Sequence, residues 1–464
     1  MHKNTCVAHV CLTVVFAAWA FGTGQVWLWV GLLWLALMGM AFGLIFPSAK
    51  KDAPEEAARA DVCARLALDP FLAAGLAATL FFCVQAANGG RELVYDPSID
   101  QWAFSLPVWR WGPSSVIAAD AWRTAVIACV FTCVCATLRH ALGKSGKILI
   151  LQAMSVNAAA LALWMLIRMA LQNGLFIMRL PVFLFAAQPE TVGAFYVLML
   201  AISCGLAMHA FIAERHTGWM LLVVCLNFIG VCLSADSHAL LAAWVLAGVS
   251  GIYICMYIWP HSLTGQIVKL WSYGIIPYLL AGLVYFGYFT DNALLRAVRE
   301  SGSWGGWFAR WVSDSSAAVD AAWRIGSDHP WLGVGAGGFK PFAPVVGLVE
   351  CARNDGHVGV DMVEYFCEHG VLGCGLVALA VGWIVVGNMR RLALVPQVSS
   401  ESDALPDRCW LFRMTPMAVV LSAGAILVFG LSFVGPVFRS PFVSLSWCVA
   451  VTCLGSFLPM RKTI

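Results

Sequence analysis

Charge is what this sequence has least of. Acidic and basic side chains make up 11% of its 464 residues, while 61% are hydrophobic and the mean hydropathy is +0.81. A soluble domain carries roughly 25% charged residues, so that class is excluded. Missing too is the polar/apolar alternation over segments of about ten residues that a transmembrane β-barrel requires. No internal repeat or low-complexity stretch is present, and the inverted halves and broken helices common in transporters are not evident. The 17 Cys lack metal-ligand spacing; most, such as Cys129, Cys133, Cys135, Cys225 and Cys232, lie inside apolar runs as small core residues. Only Cys351 and Cys367 fall in or beside the one long polar stretch, and a disulfide between them is left open. With a net charge of +3, no nucleic-acid partner is expected.

What is present is a succession of apolar runs of about 20 residues, each able to satisfy its own backbone in lipid only as a helix. They fall near 7–23, 26–46, 66–86, 114–138, 148–170, 190–212, 219–234, 238–260, 271–289, 370–388, 413–434 and 441–459. The expected fold class is all-α, a polytopic membrane protein of about twelve transmembrane helices with one long, helical outer loop. Its divisions are 1–289, 290–369 and 370–464. The N-terminus, with Lys3 and Ala18-Trp19-Ala20, mimics a signal peptide, but a second apolar run follows almost at once and the first helix is expected to be retained.

Lys and Arg set the orientation. With the N-terminus inside, one face receives Lys50, Lys51, Arg59, Arg65, Arg139, Lys144, Lys147, Arg390, Arg391, Arg408 and Arg413. The other receives loops 87–113, 171–189 and 290–369, where the basic residues are almost all Arg: Arg91, Arg110, Arg179, Arg296, Arg299, Arg310, Arg324, Arg353 and Arg439, against Lys340. Guanidinium groups suit bidentate recognition of phosphate oxygens, so a phosphate-bearing ligand on the outer face is a fair expectation; interfacial anchoring is the plainer alternative. Arg168, inside an apolar run, is a functional candidate by cost alone. Segment 87–113, rich in Trp and Pro, reads as a surface segment lying on the membrane with its rings at headgroup depth. Asp236, Ser237 and His238 form a polar cluster between two spans, open to a functional reading or to simple capping.

The outer loop of roughly 80 residues is too long for a structureless connector. Its first part predicts two helices separated at Ser-Gly. HPWLGVGAGGF follows as a turn: Pro330 ends the helix, and Gly333, Gly335, Gly337 and Gly338 permit close backbone approach. No strand context supports a dinucleotide site there. His329 reads as a turn residue. In DGHVGVDMVEYFCEHGVLG, the residues His357, Asp361, Glu364 and Glu368 share one face if the tenth helix begins near His357, suited to proton transfer, to a metal or to capping.

HPWLGVGAGGF, followed by a polar insert and EYFCEHGVLG running into a transmembrane helix, resembles the O-antigen ligase and polymerase superfamily of bacterial envelopes. RLPVFLFAAQPETVGAFYVL, LSADSHALLA and FVGPVFRSPFVSLSW add weaker echoes over much of 115–460. The resemblance implies a multi-pass protein of the bacterial inner membrane with its site facing the periplasm. It implies a glycosyltransferase of lipopolysaccharide or polysaccharide biosynthesis, moving a glycan from a polyisoprenyl (undecaprenyl) diphosphate carrier to a hydroxyl of lipid A core or of another carrier-linked glycan, with no metal or other cofactor. On that pattern His357 and Asp361 are the catalytic candidates. Arg310, Arg324, Arg179 and His238 face the diphosphate, and Pro330, Gly333, Gly335, Gly370 and Gly373 build the motif turns. The chain departs from the pattern in three places: Gly359 stands where the family places a histidine, with His357 two positions upstream; the Arg of the seventh-to-eighth turn falls nearest His238; and the Arg before the glycine-rich turn aligns near Ser316, flanked by Arg310 and Arg324. Ligase and polymerase share this architecture, and a flippase or an inactive relative are the other readings.

Overall fold

The computed structural model describes residues 3–20, 26–46, 55–96, 101–172, 188–212, 218–234, 236–258, 300–344, 358–393 and 414–457. Each of these apolar runs becomes a helix: α1 (Lys3–Ala20), α2 (Val26–Ile45), α4 (Pro70–Ala87), α5 (Ala118–His140), α6 (Lys144–Gln172), α7 (Pro189–Ile212), α8 (Gly218–Leu233), α9 (Ser237–Ile258), α12 (Asp361–Ala393), α13 (Pro416–Leu431) and α14 (Pro441–Leu454). A polar helix α3 (Glu55–Ala67) precedes α4, and the outer loop contributes α10 (Trp304–Asp328) and the single turn α11 (Phe339–Phe342). Six of the apolar helices are long and apolar enough to cross a membrane, and five more are shorter. The expected run 271–289 lies outside the described residues.

Local chemistry fixes the helix ends. Asp69 caps α4 by accepting from the Phe71 N–H at 3.1 Å, and Pro70, which has no N–H to leave unpaired, follows it. Thr415 before Pro416 does the same for α13. Ser303 caps α10 directly after the Ser-Gly break the sequence predicts; residues 290–299, where the first helix of the expected pair falls, lie outside the described residues.

The centre of the bundle is α7, whose residues Phe195 to Ile202 are all essentially inaccessible. It packs against α6, α8, α9, α13 and α14. The α2 helix instead leaves Trp27, Val30 and Trp34 more than half exposed, the pattern of a helix facing an apolar solvent rather than water.

Two ends of the bundle are distinguishable. At one, the Asp69 carboxylate receives Arg139 through Nε (3.0 Å) and Nη2 (3.3 Å), and contacts His140 Nε2 at 2.6 Å, tying the start of α4 to the end of α5. At the other lies segment 87–113, which contains a hairpin that the sequence does not announce. Leu93–Asp96 (β1) and Gln101–Phe104 (β2) pair as an antiparallel hairpin, with Leu93 opposite Phe104. Alternation over four residues is too short to announce a strand beside so many long apolar runs.

Candidate functional site

The two sequence motifs meet in a backbone splice. Helix α12 is interrupted at Gly370, whose φ of 62° and ψ of −170° lie outside the helical region. In an unbroken helix the Val371 N–H would bond the Cys367 carbonyl and the Leu372 N–H the Glu368 carbonyl. The break opens both bonds, and the glycine-rich segment fills all four vacancies. Val334 N–H donates to Cys367 O (3.0 Å) and Gly335 N–H to Glu368 O (2.8 Å), while Val371 N–H donates to Pro330 O (2.8 Å) and Leu372 N–H to Trp331 O (3.1 Å). Gln85 Nε2 adds a second donor to Glu368 O at 3.3 Å. Buried backbone groups must be paired, so HPWLGVGAGGF is the part that lets a membrane-length helix be broken here.

The approach is close enough to require glycine on both sides. A Cβ on Gly370 would lie 2.5 Å from the Trp331 carbonyl carbon, and one on Gly333 would fall on the Glu368 carbonyl; both residues have positive φ. Pro330 stands just past the His329 C-cap of α10, as the sequence predicts, and Gly373 packs against His369 and Phe81.

Beside the splice, Asp361, Glu364 and Glu368 lie buried on one face of α12, turned to the connection between α13 and α14. Asp361 is pinned twice: its N–H donates to Ser432 O (3.0 Å), and its Oδ2 accepts from Phe438 N–H at 2.6 Å. Arg439 Nη1 forms an ion pair with Glu364 Oε1 and stands 3.8 Å from Glu368 Oε1. The other Glu364 oxygen accepts from Val358 N–H at 3.2 Å, closing the start of the helix. The Asp120–Arg123 pair (2.8 Å) stands next to Gly337 and interacts with Glu368 and Arg439. Two carboxylates of α12 thus share one guanidinium, while the third, Asp361, is held by a backbone N–H. Among the described residues no three His, Cys, Asp or Glu side chains gather as a metal set.

The candidates named from sequence are dispersed. Asp361 is in this cluster. Arg324 is exposed on the last turns of α10, leading into the splice. Arg310 lies in the same helix, but its side chain, like Arg179 and His357, lies outside the described residues. His238 lines a narrow crevice with Glu190, Asp236, Leu431, Val434, Gly435 and Val437, on the same α13–α14 connection whose Phe438 N–H reaches Asp361. Asp236 caps α9 there, accepting from the N–H groups of His238 and Ala239 at 3.0 Å each, and its Oδ1 is 3.3 Å from His238 Nδ1. Two carboxylates beside one imidazole suit sugar hydroxyls better than a diphosphate. Gly359 has φ of 77°, a conformation a histidine adopts only with strain, so this backbone is built for glycine. Cys367 is a buried free thiol.

Sequence reasoning missed Arg439 as the partner of the α12 acids, although FVGPVFRSPF was singled out. It also missed Asp120, Glu190 and Gln85, single polar residues whose partners lie far along the chain.

These features define a helical membrane protein in which an apolar helix is interrupted at Gly370 and closed by the glycine-rich segment Pro330–Gly335. No family model matches the chain, and no curated protein matches it either.

Proposed function

We propose that the protein is an O-antigen-ligase-like glycosyltransferase of the bacterial inner membrane, crossing it about twelve times with the splice facing the periplasm. The observation that carries this reading is the splice itself: the two segments that bear the family resemblance, HPWLGVGAGGF and EHGVLG, are one structural unit at the end of a span, with Arg324 leading into it and the α12 acids beside it. In the proposed reaction the bond between the anomeric carbon and the carrier diphosphate breaks and a bond to the acceptor oxygen forms. The acceptor proton passes to a base, and the diphosphate leaves with its charge stabilised by guanidinium groups. His357 is assigned the base or hydroxyl-orienting role and Asp361 holds the helix start that follows it. Arg324, Arg310 and Arg179 are assigned to the diphosphate, and the His238 cleft to hydroxyl groups of a glycan.

The test is transfer by the purified protein in vesicles, given a polyisoprenyl-diphosphate glycan and either lipid A core or a second carrier-linked glycan. The expected result is a new glycosidic bond with release of the polyisoprenyl diphosphate, reduced roughly a hundredfold by His357→Ala and clearly by Arg324→Ala. Unchanged turnover in both variants removes the assignments, and movement of the lipid-linked glycan across the bilayer without a new bond makes the protein a flippase. The acceptor used separates ligase from polymerase.

A further inference from the structure

We propose that Leu106–Gly112 is a wedge inserted into the leaflet at the spliced end of the bundle, its occupant being the phospholipid boundary between headgroups and acyl chains. Segment 87–113 divides in two. The hairpin half is closed on itself by Arg91 Nε donating to Ser105 O at 2.6 Å, and it touches α11 through Phe104, whose ring centroid lies 4.5 Å from that of Phe342. It also carries the acids Glu92 and Asp96. The half that follows carries no acid between Ser105 and Ile117, only Arg110, and most of the apolar side chains of Leu106–Gly112 are turned outward. Val108 is 99% exposed and Trp111 88%, with Leu106 and Trp109 also more than half exposed.

The exposure is held in place. Asn88, the buried C-cap of α4, accepts from Trp109 N–H (2.9 Å) through Oδ1 and donates through Nδ2 to Trp109 O (2.9 Å) and Pro113 O (3.2 Å). That fastening also fixes the depth. With 18 residues, α4 is about 27 Å long, close to the thickness of a bilayer's hydrocarbon core, so a loop hydrogen-bonded to its last turn sits at the membrane boundary. Trp rings with an Arg beside them are the side chains that favour that depth. Leu76 and Leu80 of α4 and Trp122 of α5 are exposed as well. A single residue then links the wedge to the splice: Ser115 Oγ donates to Ala336 O at 3.2 Å inside the glycine-rich turn. The wedge sets the height at which the splice stands over the bilayer.

The experiment uses the full chain in phosphatidylcholine–phosphatidylglycerol vesicles, with a fluorescent amino acid placed at Trp111, at Val108 or, as the reference on the hairpin, at Glu92. At 108 and 111 the expected result is quenching by lipids brominated near the top of the acyl chains, with loss of the iodide quenching seen at 92. Iodide quenching at 108 and 111 without bromolipid quenching overturns the wedge. So does shielding from both quenchers, the outcome of a protein partner or second copy covering the patch. Both positions are exposed and contact no neighbour, so the probes leave the fold intact; far-ultraviolet circular dichroism of each labelled protein checks this.

Discussion

At one end of the bundle a single carboxylate, Asp69, is saturated by a cap, a bidentate Arg139 and His140. At the spliced end two carboxylates of α12, Glu364 and Glu368, share Arg439, with Asp361 buried beside them, and the helix that carries them is broken. The first cluster joins two intact helices and leaves nothing over. The second holds more acid than it neutralises, around a backbone that closes only with help from another segment. The asymmetry sets a fully paired, helix-joining cluster against a less neutralised one beside an interrupted helix, the end to which the proposed reaction is assigned.

The comparison breaks most readily at Gly370. Gly370→Ala puts a Cβ against the Trp331 backbone at positive φ, and a loss of roughly 3 kcal/mol or more is expected, read as a drop in Tm in detergent. Gly382→Ala, in the same helix with open space around it, should be neutral or stabilising by up to about 1 kcal/mol; equal effects at the two positions would dissolve the splice. Next in size is Arg439→Met, which leaves Glu364 and Glu368 without their cation. About 2 kcal/mol is expected, moderated because the guanidinium is over a third exposed, and Glu364→Gln in the same chain should restore part of it.

The Asp69 end gives a pH signature instead. Burial alone would raise this carboxyl, but His140 and Arg139 together outweigh it and hold it below its ordinary value of 3.8. A carboxyl lowered in the folded state contributes stability that is fully present above the unfolded value and is lost as pH falls through the folded one. The stability gap between the native chain and Asp69→Asn, followed through Tm, should therefore be constant near neutrality, at about 1–2 kcal/mol, and narrow below about pH 4. The smallest effect belongs to Arg324→Gln. Exposed on α10, it should leave stability within about 0.5 kcal/mol, so any loss of glycan transfer in that variant reports on function alone.

The helices were legible because a chain in lipid has only one way to pair its backbone, and apolar length declares it: α7 is readable from 190–212 without any partner. Pro330 and the glycines were legible as a turn, since their conformational preferences are local. The break at Gly370 was not, because VLGCGLVALAVGWIVV reads as one apolar run and nothing in it names the segment that takes over its hydrogen bonds. Arg439 could be counted but not paired, its acids lying far back in the chain. The His238 cluster was legible as a cap and not as a cleft, since Glu190 comes to it from another helix and Gly435 from the connection between α13 and α14.

The splice also orders the making of the protein. Pro330–Gly335 leaves the ribosome before the stretch around Gly370, so the strand that completes α12 is already at hand when that helix enters the bilayer. A permuted chain that delivered the glycine-rich segment last would insert α12 with two open backbone pairs in lipid, and the insertion machinery would meet an unfinished helix instead of one ready to close.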